Sequence, residues 1–422
     1  MKKTLFKTLS LTLCAMLSIS LLAVTGCSGS GETLRIYNCY DYIDETLLTD
    51  FETFYKEKTG KQIKIEYSCF DTPEDLYNQL RISPNSYDLV CPSDYMIEKM
   101  AREDMLEKIT LKEDGAYKTN LSPYISRTFD SISWDGNKLS DYAAGYMWGT
   151  LGLAYNPANV DANDMKSWSV LWSDKYANKF SVKDSIRDTY FIGLSQIHKD
   201  ELTAAKSKPF AEYRQDLETF FNDTSASTVE SMKNVLKSII SNAYATEVDE
   251  GKNFIIAGNT DIYFAWSGDA VYAMDEAEKS GLTLNYSVPE EGSNVWFDGW
   301  CVPKGASNKD VAIEFIDFIS TPENVIKNME YIGYVSCVGG DEVFDWVTET
   351  YGVENGKHEI NLDYFFKTSS SSKTYSVKTD TKDRQFSAQY PEKSVIDRSV
   401  VMSYYPDDAN ESITNMWIEV RS

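Results

Sequence analysis

Asp298 is the residue of this chain whose setting most demands a chemical explanation. It sits in the run Asn294-Val-Trp-Phe-Asp-Gly-Trp-Cys-Val302, between Trp296, Phe297 and Trp300. Taking a lone carboxylate out of water costs several kcal/mol unless a partner compensates it, and no basic residue follows until Lys304. One chemistry fits: the carboxylate holds the ammonium group of a ligand, with aromatic faces around the cation. The plain alternative is a turn in which Asp298 caps Gly299. Three other segments combine acids with rings: Asn38-Cys39-Tyr40-Asp41-Tyr42, Ser93-Asp94-Tyr95 and Trp266-Ser267-Gly268-Asp269. Asp94 reads as a helix cap, whereas Asp41 does not, because Asp44 already fills that role. Asp269 reads equally well as a first-turn acid favoured by the helix dipole. The chain has only two histidines, His198 and His358, which argues against histidine-based metal sites and catalysis. It has no dinucleotide fingerprint, phosphate-binding loop, nucleophile elbow or zinc-protease motif.

The elements that must position these segments follow from periodicity. Thr33–Asn38 alternates as a strand. Residues 44–58 place Leu47, Leu48, Phe51, Phe54 and Tyr55 on one helical face, with Asp44 as cap and Gly60 as stop. Gln62–Tyr67 is a second strand, Thr72-Pro73 opens a second helix, and Tyr87–Cys91 is a third strand followed by another helix. This β-α-β-α-β order predicts a parallel sheet, in which ligands bind outside the carboxyl ends of the strands. Both Asn38–Tyr42 and Ser93–Tyr95 lie at such ends. Tyr146–Asn156 is a buried strand carrying the chain into a second lobe. Lys183–Asp188 is a polar turn into a helix through Ile197, residues 201–242 are helical, and Asp261–Trp266 is a strand. Leu284–Val288 and Val295–Val302 are strands, the latter leading back to the first lobe. Asp310–Ile319 and residues 407–420 are helices. Residues 338–395, with Ser369–Ser372 and a Lys/Thr/Ser-rich run, read as an insertion or long surface loop.

Composition bounds the rest. The 422 residues suffice for two or three domains. The net charge is −24, and −27 once Lys2, Lys3 and Lys7 are removed with residues 1–26, which read as an export signal. Such acidity disfavours nucleic acid and favours capture of cations. Val24-Thr25-Gly26-Cys27 reads as a lipobox, with Cys27 as the lipid attachment point and residues 27–32 as a tether. The five remaining cysteines, at 39, 69, 91, 301 and 337, read as small core residues, one disulfide among them being left open.

Taken in order, several motifs resemble the extracytoplasmic spermidine/putrescine-binding proteins of ABC importers. They are Ile36-Tyr37-Asn38 with Asp41-Tyr42; Tyr87-Asp88-Leu89-Val90 with Pro92-Ser93, Tyr95 and Lys99-Met100; Trp148-Gly149; and Ser167-Trp168 with Leu171-Trp172. Trp266 with Gly268-Asp269, Trp296 with Asp298, and Ile332-Gly333-Tyr334 complete the set. The resemblance covers most of 33–337 and the last helix. It implies an α/β, two-lobed, type II periplasmic-binding-protein-like fold with crossing hinge strands, lobe 1 being 33–149 with 299–336 and lobe 2 being 150–298 with 337–422, the 338–395 insertion included. It implies a polyamine held between the lobes, its nitrogens at Asp41, Ser93, Asp188, Asp269 and Asp298 and its methylenes along Tyr42, Tyr95, Trp266, Trp296 and Tyr334.

Departures from that pattern bring in Tyr40 and Ser185. Cys39 stands where the family usually has Trp, with Tyr40 beside it to fill the space. Ser185 stands where spermidine binders have Asp, and Asp184 is one residue off. Asp188 replaces a frequent Glu and Met402 a Gln. The expected partners are a cationic polyamine, ABC permease subunits and the membrane through the lipid anchor. No cofactor, metal, nucleic acid or catalytic activity is expected, and a monomer is. Two other readings remain: a different cationic or amino-acid-like solute, for which Arg187 is the nearby carboxylate partner, and an exported glycan-active enzyme using a carboxylate pair. A lectin-like surface protein would rest on the 338–395 segment alone.

Overall fold

The computed structural model describes residues 32–422; the expected export signal and the expected lipid attachment at Cys27 lie outside them. β1 (Glu32–Cys39), α1 (Thr46–Thr59), β2 (Ile63–Phe70), α2 (Pro73–Ile82), β3 (Leu89–Val90) and α3 (Asp94–Arg102) follow in chain order. β1 pairs in parallel with both β2 and β3, giving the order β2-β1-β3. α1 buries Leu47, Phe51 and Tyr55, the spacing of one helical stripe. The Phe51 ring meets Phe315 and Phe318 edge-on at 5.1 and 5.4 Å. Burial of one such side chain contributes about 1.5–3 kcal/mol. Gly60 ends α1 at φ 74°, a left-handed backbone that glycine adopts without strain. Asp44 supports its start by accepting from the Thr46 amide at 2.9 Å.

Two long central strands, Ala143–Tyr155 and Ser293–Cys301, run antiparallel and are buried along their whole length. They join the two halves of an 11-stranded sheet. At one end Cys301 pairs with Val90 of β3. At the other, Leu151–Tyr155 pair with the strand Ile262–Trp266, which lies parallel to Phe180–Lys183, and that strand is parallel in turn to Ala245–Glu247. The result is an α/β fold with parallel strands outside and antiparallel strands at the crossing. One hydrophobic core centres on β1–β3 and another on the Phe180 and Phe264 strands, where the closing helix Asp407–Arg421 adds Ile413, Met416 and Val420.

The 338–395 stretch differs from the loop expected of it and from its attachment to lobe 2. It carries helices Asp341–Tyr351, Asp363–Phe366, Gln385–Gln389 and Lys393–Ile396, and a hairpin of His358–Asn361 with Ser376–Thr379. Its buried Phe344, Phe365, Phe366 and Tyr390 join the first core. Only its far end reaches the other half, where Gln385 bonds Asp275 and Glu278 and the Asp383 carbonyl accepts from Tyr286. The polar Ser/Lys run hid an apolar set whose partners are distant in sequence. The five described cysteines are all unpaired.

Candidate ligand-binding site

A cavity of about 320 Å³ lies between the halves, at the carboxyl ends of β1 and β3. Asp41, Tyr42, Ser93, Tyr95, Asp188, Trp266, Asp269, Trp296, Asp298, Tyr334, Tyr40 and Ser185 all line it. They come from segments far apart in sequence, which the sheet crossing gathers.

Asp298 sits at a β-bulge of the two central strands. Phe297 pairs with Trp148 and Gly299 with Gly145, so the extra residue lies in the Ala143–Tyr155 strand, and Asp298 has no partner there. Around it, Ser93 bridges Asp298 and the Gly299 amide donates to the Pro92 carbonyl. The Tyr42 hydroxyl donates to the carboxylate at 2.5 Å, and the nearby Ser93 hydroxyl also favours its ionised form. Asp298 is only 8 % exposed, and among the described residues no Lys, Arg or His forms an ion pair with it. Burial pushes its carboxyl up to about 6, the two hydroxyls opposing and Asp188 adding repulsion. Tyr42 is itself fixed: Tyr146 donates to its carbonyl at 2.6 Å, and the Asn328 amide donates to the Tyr146 hydroxyl at 2.8 Å. The Tyr42 ring meets Tyr334 edge-on at 5.0 Å, and Tyr334 meets Trp296 at 5.7 Å. These rings wall the acid. Phe297 and Trp300, its sequence neighbours, are core.

Asp188 lies in the first turn of the helix Ile186–Ile197 and is 8 % exposed. Burial pushes its carboxyl up, offset in part by Ser185, Lys183, Trp266 and Arg187. Ser185 caps that helix, its hydroxyl accepting from the Asp188 amide at 3.3 Å. Asp184, beside it, is paired with Arg421. Asp94 ties α3 to the central strand, accepting from the amides of Tyr95 at 2.6 Å and Phe297 at 3.1 Å. Burial still pushes it up to about 8, so it is chiefly neutral at pH 7.

Two expected ligand groups sit differently. Asp41 is exposed at the rim, at φ 50°, where water screens it. Asp269 is buried but already compensated: Lys183 lies 3.5 Å from one carboxylate oxygen and Lys252 3.7 Å from the other. Tyr263 and Tyr334 donate to the same oxygens at 2.9 and 2.8 Å. Burial pushes the Asp269 carboxyl up, but the two lysines and two phenols outweigh it and hold it below the usual range. Gly268 permits this arrangement, since a Cβ there would fall 2.2 Å from the Tyr334 ring.

Reading the sequence missed Glu74, Asp249, Lys252 and Lys183. Glu74 accepts from the Tyr95 hydroxyl at 3.0 Å; its position opening the helix after β2, again at a strand's carboxyl end, was the available signal. Arg187 is clamped with its guanidinium 4.1 Å from the Tyr95 ring and 3.6 Å from the Tyr405 ring, donating to the Ser403 carbonyl at 2.7 Å.

A two-halved α/β molecule with an acidic, aromatic cavity at its sheet crossing is the architecture of a solute receptor. The profile of the bacterial extracellular solute-binding proteins matches residues 50–340, and the chain belongs to that family. It is 27 % identical over 303 residues to the spermidine/putrescine-binding periplasmic protein of Escherichia coli, covering 72 % of this chain and 76 % of that one. It is 26 % identical over 303 residues to the putrescine-binding periplasmic protein SpuD of Pseudomonas aeruginosa, covering 70 % and 76 %. Among solved structures, the spermidine/putrescine ABC transporter substrate-binding protein PotD of Streptococcus pneumoniae superposes with a TM-score of 0.63 at 26 % identity, over 93 % of this chain and 99 % of that one. The TpPotD lipoprotein of Treponema pallidum shares the fold, with a TM-score of 0.66 at 19 % identity, over 92 % and 99 %.

Proposed function

We propose that this protein captures a polyamine outside the cytoplasm and delivers it to an ABC importer. The observation that carries the reading is Asp298: a buried, ring-walled carboxylate bonded by the Tyr42 hydroxyl and matched by no cation of the described chain. A ligand ammonium supplies the missing charge through a charge-assisted hydrogen bond and cation–π contact with the surrounding rings. Closing the halves on such a ligand compensates Asp298 and Asp188 together, whereas closing without it desolvates two like charges. The ligand therefore selects the closed form, which a permease reads. In this reading the chain performs no catalysis, works as a monomer, and is tethered through Cys27 to the outer face of the cytoplasmic membrane. The names of its relatives support the polyamine assignment.

An amino-acid-like solute is the second reading, favoured by Arg187, whose Nε has no hydrogen-bond partner. Its clamp between Tyr95 and Tyr405 turns the guanidinium toward Ser403, which weighs against it. The deciding experiment is a thermal-shift screen of the soluble form with putrescine, cadaverine, spermidine, spermine, amino acids and oligosaccharides, since binding to the folded state raises stability by mass action. Stabilisation by amines alone supports the proposal; stabilisation by amino acids or sugars, with amines inert, refutes it.

A further inference from the structure

Lys183 is fully buried, and its ammonium backs Trp266 and Asp269, two residues that line the ligand cavity. It lies 3.7 Å from the centroid of the Trp266 ring, 3.5 Å from Asp269, and donates to the Tyr263 hydroxyl at 2.8 Å and the Val248 carbonyl at 2.9 Å. An aromatic face, a carboxylate and two oxygen acceptors are what an amine ligand's ammonium would itself require. That place is filled from within the chain. Lys252 covers the second oxygen of Asp269. The cavity is thus asymmetric, with a carboxylate lacking a chain cation at Asp298 and a self-compensated one at Asp269.

Resting on the polyamine reading, we infer that Lys183 sets ligand charge and length: it stands in for one ammonium, so the site takes a diamine in preference to a triamine. A third ammonium reaching toward Trp266 approaches a fixed like charge, and the neighbouring carboxylate, Asp269, is already neutralised. A diamine needs only the Asp298–Asp188 end and one further contact toward the acidic rim, where Asp41 lies.

The test is titration calorimetry of the unmodified protein and of Lys183→Gln with putrescine, cadaverine and spermidine. Gln keeps a donor for Tyr263 and Val248 but removes the charge. The expected result is that the unmodified protein binds its better diamine at least tenfold more tightly than spermidine, and that Lys183→Gln shifts this ratio at least tenfold toward spermidine. A smaller preference in the unmodified protein overturns the inference, as does a folded Lys183→Gln with a smaller shift. Where the variant does not fold, the ranking on the unmodified protein decides alone. Failure to bind any of the three amines would instead sink the polyamine reading itself, so the two failures are distinguishable.

Discussion

Replacing Asp298 by Asn separates binding from folding in one residue. The variant keeps the shape and an acceptor for the Tyr42 hydroxyl and deletes only the charge. Removing one partner of a buried, hydrogen-bonded charge pair costs about 2–5 kcal/mol, so amine affinity should fall by roughly 30-fold to several thousand-fold. Stability should move the other way. The folded protein holds this carboxyl at about 6 against an ordinary 3.8, so the native state prefers it protonated. Its favourable contribution is present below about pH 4 and is lost as pH rises through 6, about 3 kcal/mol by pH 7. Asn resembles the protonated form at every pH. The ligand-free variant should therefore be as stable as the unmodified protein at pH 7 or more so, by up to that amount, and lose the advantage by pH 4. Calorimetric titration with the amine, together with urea melts at pH 4 and 7, measures both. Affinity within threefold of the unmodified protein would refute the ligand role. A ligand-free variant that is markedly less stable at pH 7 would show Asp298 to be a structural anchor.

Three other outcomes follow from the same geometry. An ammonium at Asp298 pulls its carboxyl back toward the ordinary range, so binding at pH 6 should release about half a proton and weaken as pH falls below 6; titrations in buffers of different ionisation heat that show no release would contradict this. Tyr42→Phe removes the hydroxyl that opposes the upward push on Asp298, so the acidic limit of binding should move to higher pH, with affinity lower by roughly tenfold at neutral pH; an unmoved limit would argue against the contact. Gly268→Ala puts a methyl 2.2 Å from the Tyr334 ring; overpacking of this kind costs about 1–3 kcal/mol. Melting temperature and amine affinity should both drop, and an unaffected variant would mean the ring has room to move.

Local pattern and tertiary placement divided the site between them. The stripe Leu47, Phe51, Tyr55 and the alternation of Thr33–Asn38 are short-range signals, and they become α1 and β1. The end-of-strand rule then located Asp41, Tyr42, Ser93 and Tyr95 from the β-α-β order alone, and all four line the cavity. The oddity of one acid among tryptophans pointed to Asp298 because burying a charge is costly wherever it happens. Lys183 was different. In sequence it opens a polar turn; in the structure it ends a buried strand, and its partners Tyr263 and Asp269 come from the next strand and helix. No periodicity encodes that pairing.

Sequence by itself determined the kind of elements, their order, and the presence of carboxylates and rings suited to a cation, since these depend on residue type and spacing along a few turns of chain. Tertiary structure alone decided which carboxylates remain free to meet one. Asp298 and Asp269 both sit beside tryptophans, but one meets the Tyr42 hydroxyl from another strand end while packing brings two lysines to the other. Charge compensation depends on distances across the fold, and those are set only when separate strands come together.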